Sequence, residues 1–364
     1  MTDNPKPLPQ LAKVNAYVPG EAPKPGAGKS YKLASNENPL GASPKAKAVF
    51  AEMATKLDIY PDGGAHALKA AIAKKHGLDA SRIVVGAGSD EIFLMLGRAY
   101  LGPGDEAIST KHAFAIYEII TQQQGATPVV VPENNFVADV DAILKAVTPK
   151  TKMVWLANPN NPTGTYLPYD EVQRLHAGLP PHVLLVLDGA YAEFVRRNDY
   201  ASGIEMASKH SNVILTRTFS KLYGLAGIRV GWGYAPSHVI DALERVRMPF
   251  NVNLVAQAVA IAALEDDAFN ERSFVHNETE LPRLRSALRA LGLEVIEGVG
   301  NFAVAKFPDT KGKTAAEALA YMKDRGVTVR SLAGYGMPQY LRISVGTVEG
   351  NDAALKLVKE FLGK

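Results

Sequence analysis

Short apolar runs without alternation, separated by longer stretches of helical spacing, organise most of this chain. Arg82-Ile-Val-Val-Gly86, Glu106-Ala-Ile-Ser109, Thr127-Pro-Val-Val-Val131 and Lys152-Met-Val-Trp-Leu-Ala157 read as strands. So do Val183-Leu-Leu-Val-Leu187, Val213-Ile-Leu-Thr216 and Arg229-Val-Gly-Trp-Gly-Tyr234. A strand apolar at every position is buried on both faces, which a mostly parallel sheet covered by helices provides. Ser89 to Tyr100 and Tyr117 to Thr121 supply helical patterns between the runs. The pattern predicts a large α/β domain over residues 45–248. After Met248-Pro249 it changes: a helical region from about Leu254 to Leu291 precedes strand candidates at 293–296, 301–305, 328–330 and 340–344. That predicts a smaller α+β domain over 249–364. Residues 1–44 read as an N-terminal arm that also joins the small domain, its first 30 residues rich in Pro, Lys and Gly and therefore extended.

Composition narrows the function. At 364 residues, two domains are the default. A net charge of +3, with no Lys/Arg-rich block, gives nucleic acid nothing to grip. The absence of cysteine removes disulfides, thiolate metal sites and a cysteine nucleophile, and no metal site is expected. No apolar run is long enough for a leader or a bilayer span, so a cytoplasmic location without membrane partners is expected.

The chemistry-bearing residues fall at strand ends, where open α/β sheets bind ligands. Lys221 follows the Val213–Thr216 run, with hydroxyls at Thr218 and Ser220 and a guanidinium at Arg229. Among cations in a low-dielectric pocket a lysine loses its proton more easily, and only the neutral amine forms a Schiff base. Arginine and hydroxyls also suit a phosphate dianion. Together these are what pyridoxal 5'-phosphate (PLP) asks of a protein; a basic strand-to-helix turn is the plainer reading. Gly88, Ser89 and Asp90 open a helix whose free N–H groups either cradle an anion or are simply capped. Asn158-Pro-Asn-Asn-Pro-Thr-Gly164 is a rigid loop that either aims an amide at a ligand or only turns the chain. Asp188 ends an apolar strand, so it either meets a cation or caps the next helix. Tyr191 is a candidate donor to a cofactor's phenolic oxygen, and Phe114 either stacks on an aromatic ligand or is core.

The segments LASNENPLG (33–41), YPDGG (60–64), GSDE (88–91), NPNNPTG (158–164), LDGAYAEF (187–194), TFSKLYGLAGIRVGW (218–232) and YLRISVGT (340–347) occur in this order. In them the chain resembles fold type I PLP-dependent aminotransferases, specifically the histidinol-phosphate aminotransferase branch, from about Tyr17 to the C-terminus. The resemblance implies that Lys221 is the Schiff-base lysine, Asp188 the partner of the pyridinium nitrogen, and Asn161 and Tyr191 the pair holding the phenolic oxygen. It places Gly88, Ser89, Asp90, Thr218, Ser220 and Arg229 at the cofactor phosphate. Tyr60 would reach that phosphate from a neighbouring subunit, implying a homodimer with shared sites. Arg342 corresponds to the substrate-carboxylate arginine, assisted by Arg330, and Tyr17 and Asn36 sit on an arm that closes over substrate. Phe114 stands where many relatives carry tyrosine, Gly189 where glutamate is frequent, and Ala87 where asparagine is frequent. The implied reaction moves an amino group between histidinol phosphate and 2-oxoglutarate. Aromatic amino-acid aminotransfer is the close alternative; decarboxylation of a phosphorylated amino acid uses the same lysine and aspartate. A PLP-sensing regulator needs a DNA-binding segment that the short Pro-rich start cannot hold.

Overall fold

The computed structural model describes residues 4–17 and 29–364; of the 1–44 arm, positions 1–3 and 18–28 lie outside the described residues. Seven strands form the large sheet in the spatial order Ile83–Gly86, Gly231–Tyr234, Val213–Thr218, Leu184–Asp188, Thr151–Ala157, Glu106–Thr110, Thr127–Val131. Gly231–Tyr234 runs antiparallel to both of its neighbours, and the remaining pairs are parallel.

The apolar runs behave as double-faced strands. Val85, Val154, Leu185 and Leu215 face one core, and their chain neighbours Val84, Trp155, Val186 and Ile214 face another. Each such side chain contributes about 1.5–3 kcal/mol on full burial, which fixes the register because a one-residue slip would exchange the two faces. Helices Ser89–Tyr100, Ile116–Gln123 and Ser237–Val246 cover the second face, while His66–His76, Tyr169–Gly178 and Leu254–Leu264 cover the first.

The helical region expected as one span over 254–291 is two helices, Leu254–Leu264 and Asp267–Ala290. Asp266 causes the break: its Oδ1 accepts from Phe269 N at 3.4 Å and starts a new helix as N-cap. Ala256, Val259, Ala260, Ala263 and Leu264 pack into the first large core. The change of packing therefore comes after Leu264, not after Met248 where the pattern suggested it, because a strongly apolar helix is drawn to the larger core.

The smaller sheet has the order Tyr31–Leu33, Val327–Ser331, Tyr340–Ser344, Phe302–Lys306, Glu294–Val295. Tyr31–Leu33 pairs in parallel with Val327–Ser331, so residues from near both chain ends build it. Helices Asp267–Ala290, Ala315–Asp324 and Val348–Leu362 close its core around Leu284, Leu288, Phe307 and Ile343. Among the described residues no helix is long and apolar enough to cross a membrane.

One glycine in the large sheet serves the ligand end directly. A Cβ on Gly231 would stand 2.6 Å from Ser89 N and 2.7 Å from Gly88 C, against backbone that cannot yield. Gly231→Ala should therefore destabilise the protein by about 1–3 kcal/mol, read as a lower melting temperature; an unchanged melt would show that the helix start at Ser89 gives way freely.

Candidate active site

The carboxyl ends of the large sheet and the inner face of the small one enclose a cleft of about 260 Å³. Its wall includes Tyr17, Asn36, Ser89, Asp90, Phe114, Asn161, Asp188, Tyr191, Thr218, Ser220, Lys221, Arg229, Arg330 and Arg342. Gly88 lies just behind, with φ +85° and its α-carbon so near Arg229 that a Cβ would stand 2.4 Å from Nη2. Tyr60 does not line the cleft: it is 78% exposed and stacks on Phe250 with centroids 4.7 Å apart.

Asp188 ends its strand in register with Thr216 and Ala157 and is buried. Burial pushes its carboxyl up to about 6, against hydrogen bonds that oppose the rise. Tyr117 Oη donates to Oδ2 at 2.6 Å, Ala190 N donates to Oδ1 at 3.1 Å, and Thr216 Oγ1 stands at 3.5 Å. Among the described residues it has no ion-pair partner, so a cation arriving in the cleft would find an uncompensated negative charge.

Lys221 Nζ donates to Ser35 O at 3.1 Å and lies 5.6 Å from the Tyr191 ring centroid. Burial lowers its pKa to about 8, with the Arg342 guanidinium as the second cause. About a tenth of the amine is therefore neutral at pH 7, far more than for an ordinary lysine, which suits a nucleophilic amine.

Asn36, at φ 56°, is built into the wall. Its N donates to Ser344 Oγ at 2.8 Å, Ser344 donates to its Oδ1 at 2.8 Å, and Asn301 Nδ2 donates to its O at 2.9 Å. Its Nδ2 donates to Tyr191 Oη at 2.9 Å. The tyrosine, already accepting, keeps its own proton to donate into the cleft. Arg342 is buried, donating through Nη1 to Asn161 Oδ1 and through Nη2 to Ala34 O at 2.9 Å, while its Nε has no partner. Because the Asn161 oxygen is engaged, its amide NH2 is left as the donor. Arg330 stands directly across the antiparallel pair from Arg342, which puts both side chains on one face and makes an anion between them favourable.

A second anion corner forms where helix Ser89–Tyr100 begins. Free backbone N–H groups meet Thr218, Ser220 and Arg229 there; Arg229 Nη1 donates to Ser220 Oγ at 3.3 Å and Nη2 pairs with Asp90 at 3.3 Å. Phe114 and Tyr17 meet edge to face at 6.2 Å. Sequence reasoning missed four contributors: Tyr117, Tyr335 on the wall, and Ser344 and Asn301 holding Asn36. For Tyr117 the one signal is its spacing, three residues after Phe114, whose carbonyl accepts from Tyr117 N at 3.1 Å.

The sequence profile of the family described as aminotransferase class I and II matches residues 29–358. The chain belongs to this family. The histidinol-phosphate aminotransferase of Nitrobacter winogradskyi (strain Nb-255) is 50% identical over 361 residues, covering 99% of each chain. That of Rhodopseudomonas palustris (strain TIE-1) is 51% identical over 362 residues, again covering 99% of each. The structure of histidinol-phosphate aminotransferase from Sinorhizobium meliloti in complex with pyridoxal-5'-phosphate superposes with a TM-score of 0.89 at 25% identity, covering 100% of this chain and 99% of the other.

In this aminotransferase the depressed pKa of Lys221 is open to a direct reading. Reductive alkylation with formaldehyde, followed by peptide mapping, should modify Lys221 with a midpoint near pH 8, against about 10.4 for an ordinary lysine. A midpoint above pH 10 would show that the amine is not held as described.

Proposed function

We propose that the chain is a PLP-dependent aminotransferase that moves an amino group between histidinol phosphate and 2-oxoglutarate, in histidine biosynthesis in the cytoplasm. The observation that carries the reading is a lysine of lowered pKa and an unpaired buried carboxylate on the wall of one cleft beside two facing arginines. The full-length relatives of that name support the substrate assignment.

PLP fits the residues present. Asp188 would hold the proton on the ring nitrogen, and its lack of an ion-pair partner is what that role needs. Tyr191 and Asn161, each with a donor left over, would hold the phenolic oxygen. Phe114 would lie against the ring, and the Ser89 helix start with Thr218, Ser220 and Arg229 would hold the phosphate. Bound there, PLP supplies a carbonyl to take up the amino group and a protonated ring to draw electrons from the substrate α-carbon. Lys221 would anchor the cofactor and, as a free amine, would carry the proton to and from that carbon; its pKa near 8 suits both taking up and giving back that proton. Arg342, with Arg330 beside it, grips the carboxylate of glutamate or the phosphate of histidinol phosphate, since a guanidinium fork matches either. The backbone of Ala34–Ser35 caps both cations, so the arm shields the reacting atoms from water on that side.

Aromatic amino-acid transfer remains the second reading, favoured by the wall of Tyr17, Phe114 and Tyr335. Glutamate-dependent amination of imidazole acetol phosphate should exceed that of phenylpyruvate by well over tenfold in kcat/KM, with Lys221→Arg as the inactive blank. Parity between the two substrates would make this a broad aromatic enzyme, and turnover by the blank would remove the mechanism.

The protein is further proposed to work as a homodimer with shared sites. Leu57, Ile59, Tyr60, Met248 and Phe250 are exposed large apolar groups, and the Tyr60–Phe250 stack ties the two segments together; such a cluster marks an interaction surface. Co-expressed Lys221→Ala and Tyr60→Phe chains should form a hybrid with one site intact, whose activity per functional lysine matches wild type. A hybrid no better than the Tyr60→Phe parent would place Tyr60 outside the partner's site.

A further inference from the structure

Asp188 raises a difficulty that the cleft alone does not resolve. A carboxylate buried at the end of the apolar strand Leu184–Asp188 tends to take up a proton, yet holding a ring nitrogen's proton requires it ionised. The groups facing it are Thr216 from the neighbouring strand, Tyr117 from helix Ile116–Gln123, Asp90 from helix Ser89–Tyr100, and Tyr191 with the backbone of Ala190 from the following turn. Tyr200 also feels its charge. Asp90 carries the same sign and pushes toward protonation. The donors are therefore what oppose the proton, and Tyr117 is the shortest at 2.6 Å, against 3.1 and 3.5 Å for the others.

Tyr117 is also unusually fixed. It is 1% exposed and its ring stacks on Trp155 with centroids 5.2 Å apart and planes 1° apart. Phe93 meets it edge-on at 5.4 Å, and Phe114 does so at 5.8 Å. Three aromatic neighbours leave the hydroxyl no other direction, so the hydrogen bond is pre-aligned and loses little rotamer freedom. The phenol cannot itself give up its proton at this place, because burial and the adjacent carboxylate hold its pKa well above the usual tyrosine value; it donates without titrating. Phe114, three residues earlier and just ahead of the helix, meets the cleft.

We propose that Tyr117 is a positioning residue for Asp188: its aromatic-clamped hydroxyl keeps the carboxylate ionised and aimed into the cleft without help from bulk water. The proposal rests on the reading of Asp188 as the partner of the cofactor ring nitrogen. It deepens that reading by assigning the ionisation of the carboxylate to a residue that touches neither cofactor nor substrate.

The test is Tyr117→Phe, which removes one oxygen and preserves the stack on Trp155. Without cofactor, the signature is the pH dependence of melting. The folded Asp188 carboxyl sits at about 6, above the ordinary value of about 4. Its contribution to stability is thus full below about pH 4 and lost as the pH rises through 6. Taking away the donor raises the folded value further and extends that loss to higher pH, so the melting deficit of the variant should be larger at pH 8 than at pH 5. With PLP added, the dissociation constant at pH 8 should rise about tenfold, and kcat should fall about tenfold with KM changed less than twofold. Asp188→Asn and the double variant complete a cycle: if Tyr117 acts through Asp188, adding Tyr117→Phe to Asp188→Asn changes cofactor affinity less than twofold. A deficit equal at every pH, or a full additive loss in the double variant, overturns the proposal and leaves Tyr117 as packing alone. If Asp188→Asn itself retains cofactor and turnover, it is the reading of Asp188 that fails, and the proposal falls with it.

Discussion

A single negative charge at the end of a wholly apolar strand sets the terms for the rest of this molecule. Leu184–Leu187 are buried on both faces and lead the chain straight to Asp188. The sheet supplies the rigidity and low polarity that make that charge strong, and the same surroundings make it costly to maintain. Much of the neighbouring architecture answers that tension. A tyrosine pinned by aromatic rings, a backbone N–H and a threonine hydroxyl converge on it, while Lys221 and three arginines line the same cleft.

The large domain was legible because parallel strands buried on two faces announce themselves as unbroken apolar runs. Asp188 and Lys221 were legible because polar groups break those runs at their C-terminal ends. The family motifs then gathered residues as distant as Asn36 and Arg342 into one constellation, and the fold does bring both to the cleft. What stayed hidden depends on side chains meeting across the fold. Tyr117 looked like an ordinary helical residue because its role comes from Trp155, on a strand far along the chain. Ser344 and Asn301 read as small polar positions in the second domain, with nothing nearby in sequence to link them to Asn36. The break at Asp266 was masked by two adjoining helical patterns, where one capping carboxylate outweighs periodicity.

Arg330 and Arg342 illustrate how a sheet register can gather like charges. Arg330 and Arg342 come from adjacent antiparallel strands and oppose each other, a pairing that is unfavourable by itself. Ala34 O and the Asn161 amide absorb part of the charge on Arg342. Its Nε is buried without a hydrogen-bond partner among the described residues. The small domain is therefore more than a lid, because its register places cationic groups over the lysine carried by the large one.

The parallel pairing of Tyr31–Leu33 with Val327–Ser331 bears on biogenesis. The first strand leaves the ribosome roughly three hundred residues before its partner, and at about 5–20 residues per second that wait lasts on the order of tens of seconds. During it the large sheet comes to have all seven of its strands available, whereas Asn36 still awaits Asn301 and Ser344 to hold it. A nascent chain thus has its lysine and aspartate in place early, and the wall at Asn36 is fixed only after the strands of the small domain have been made.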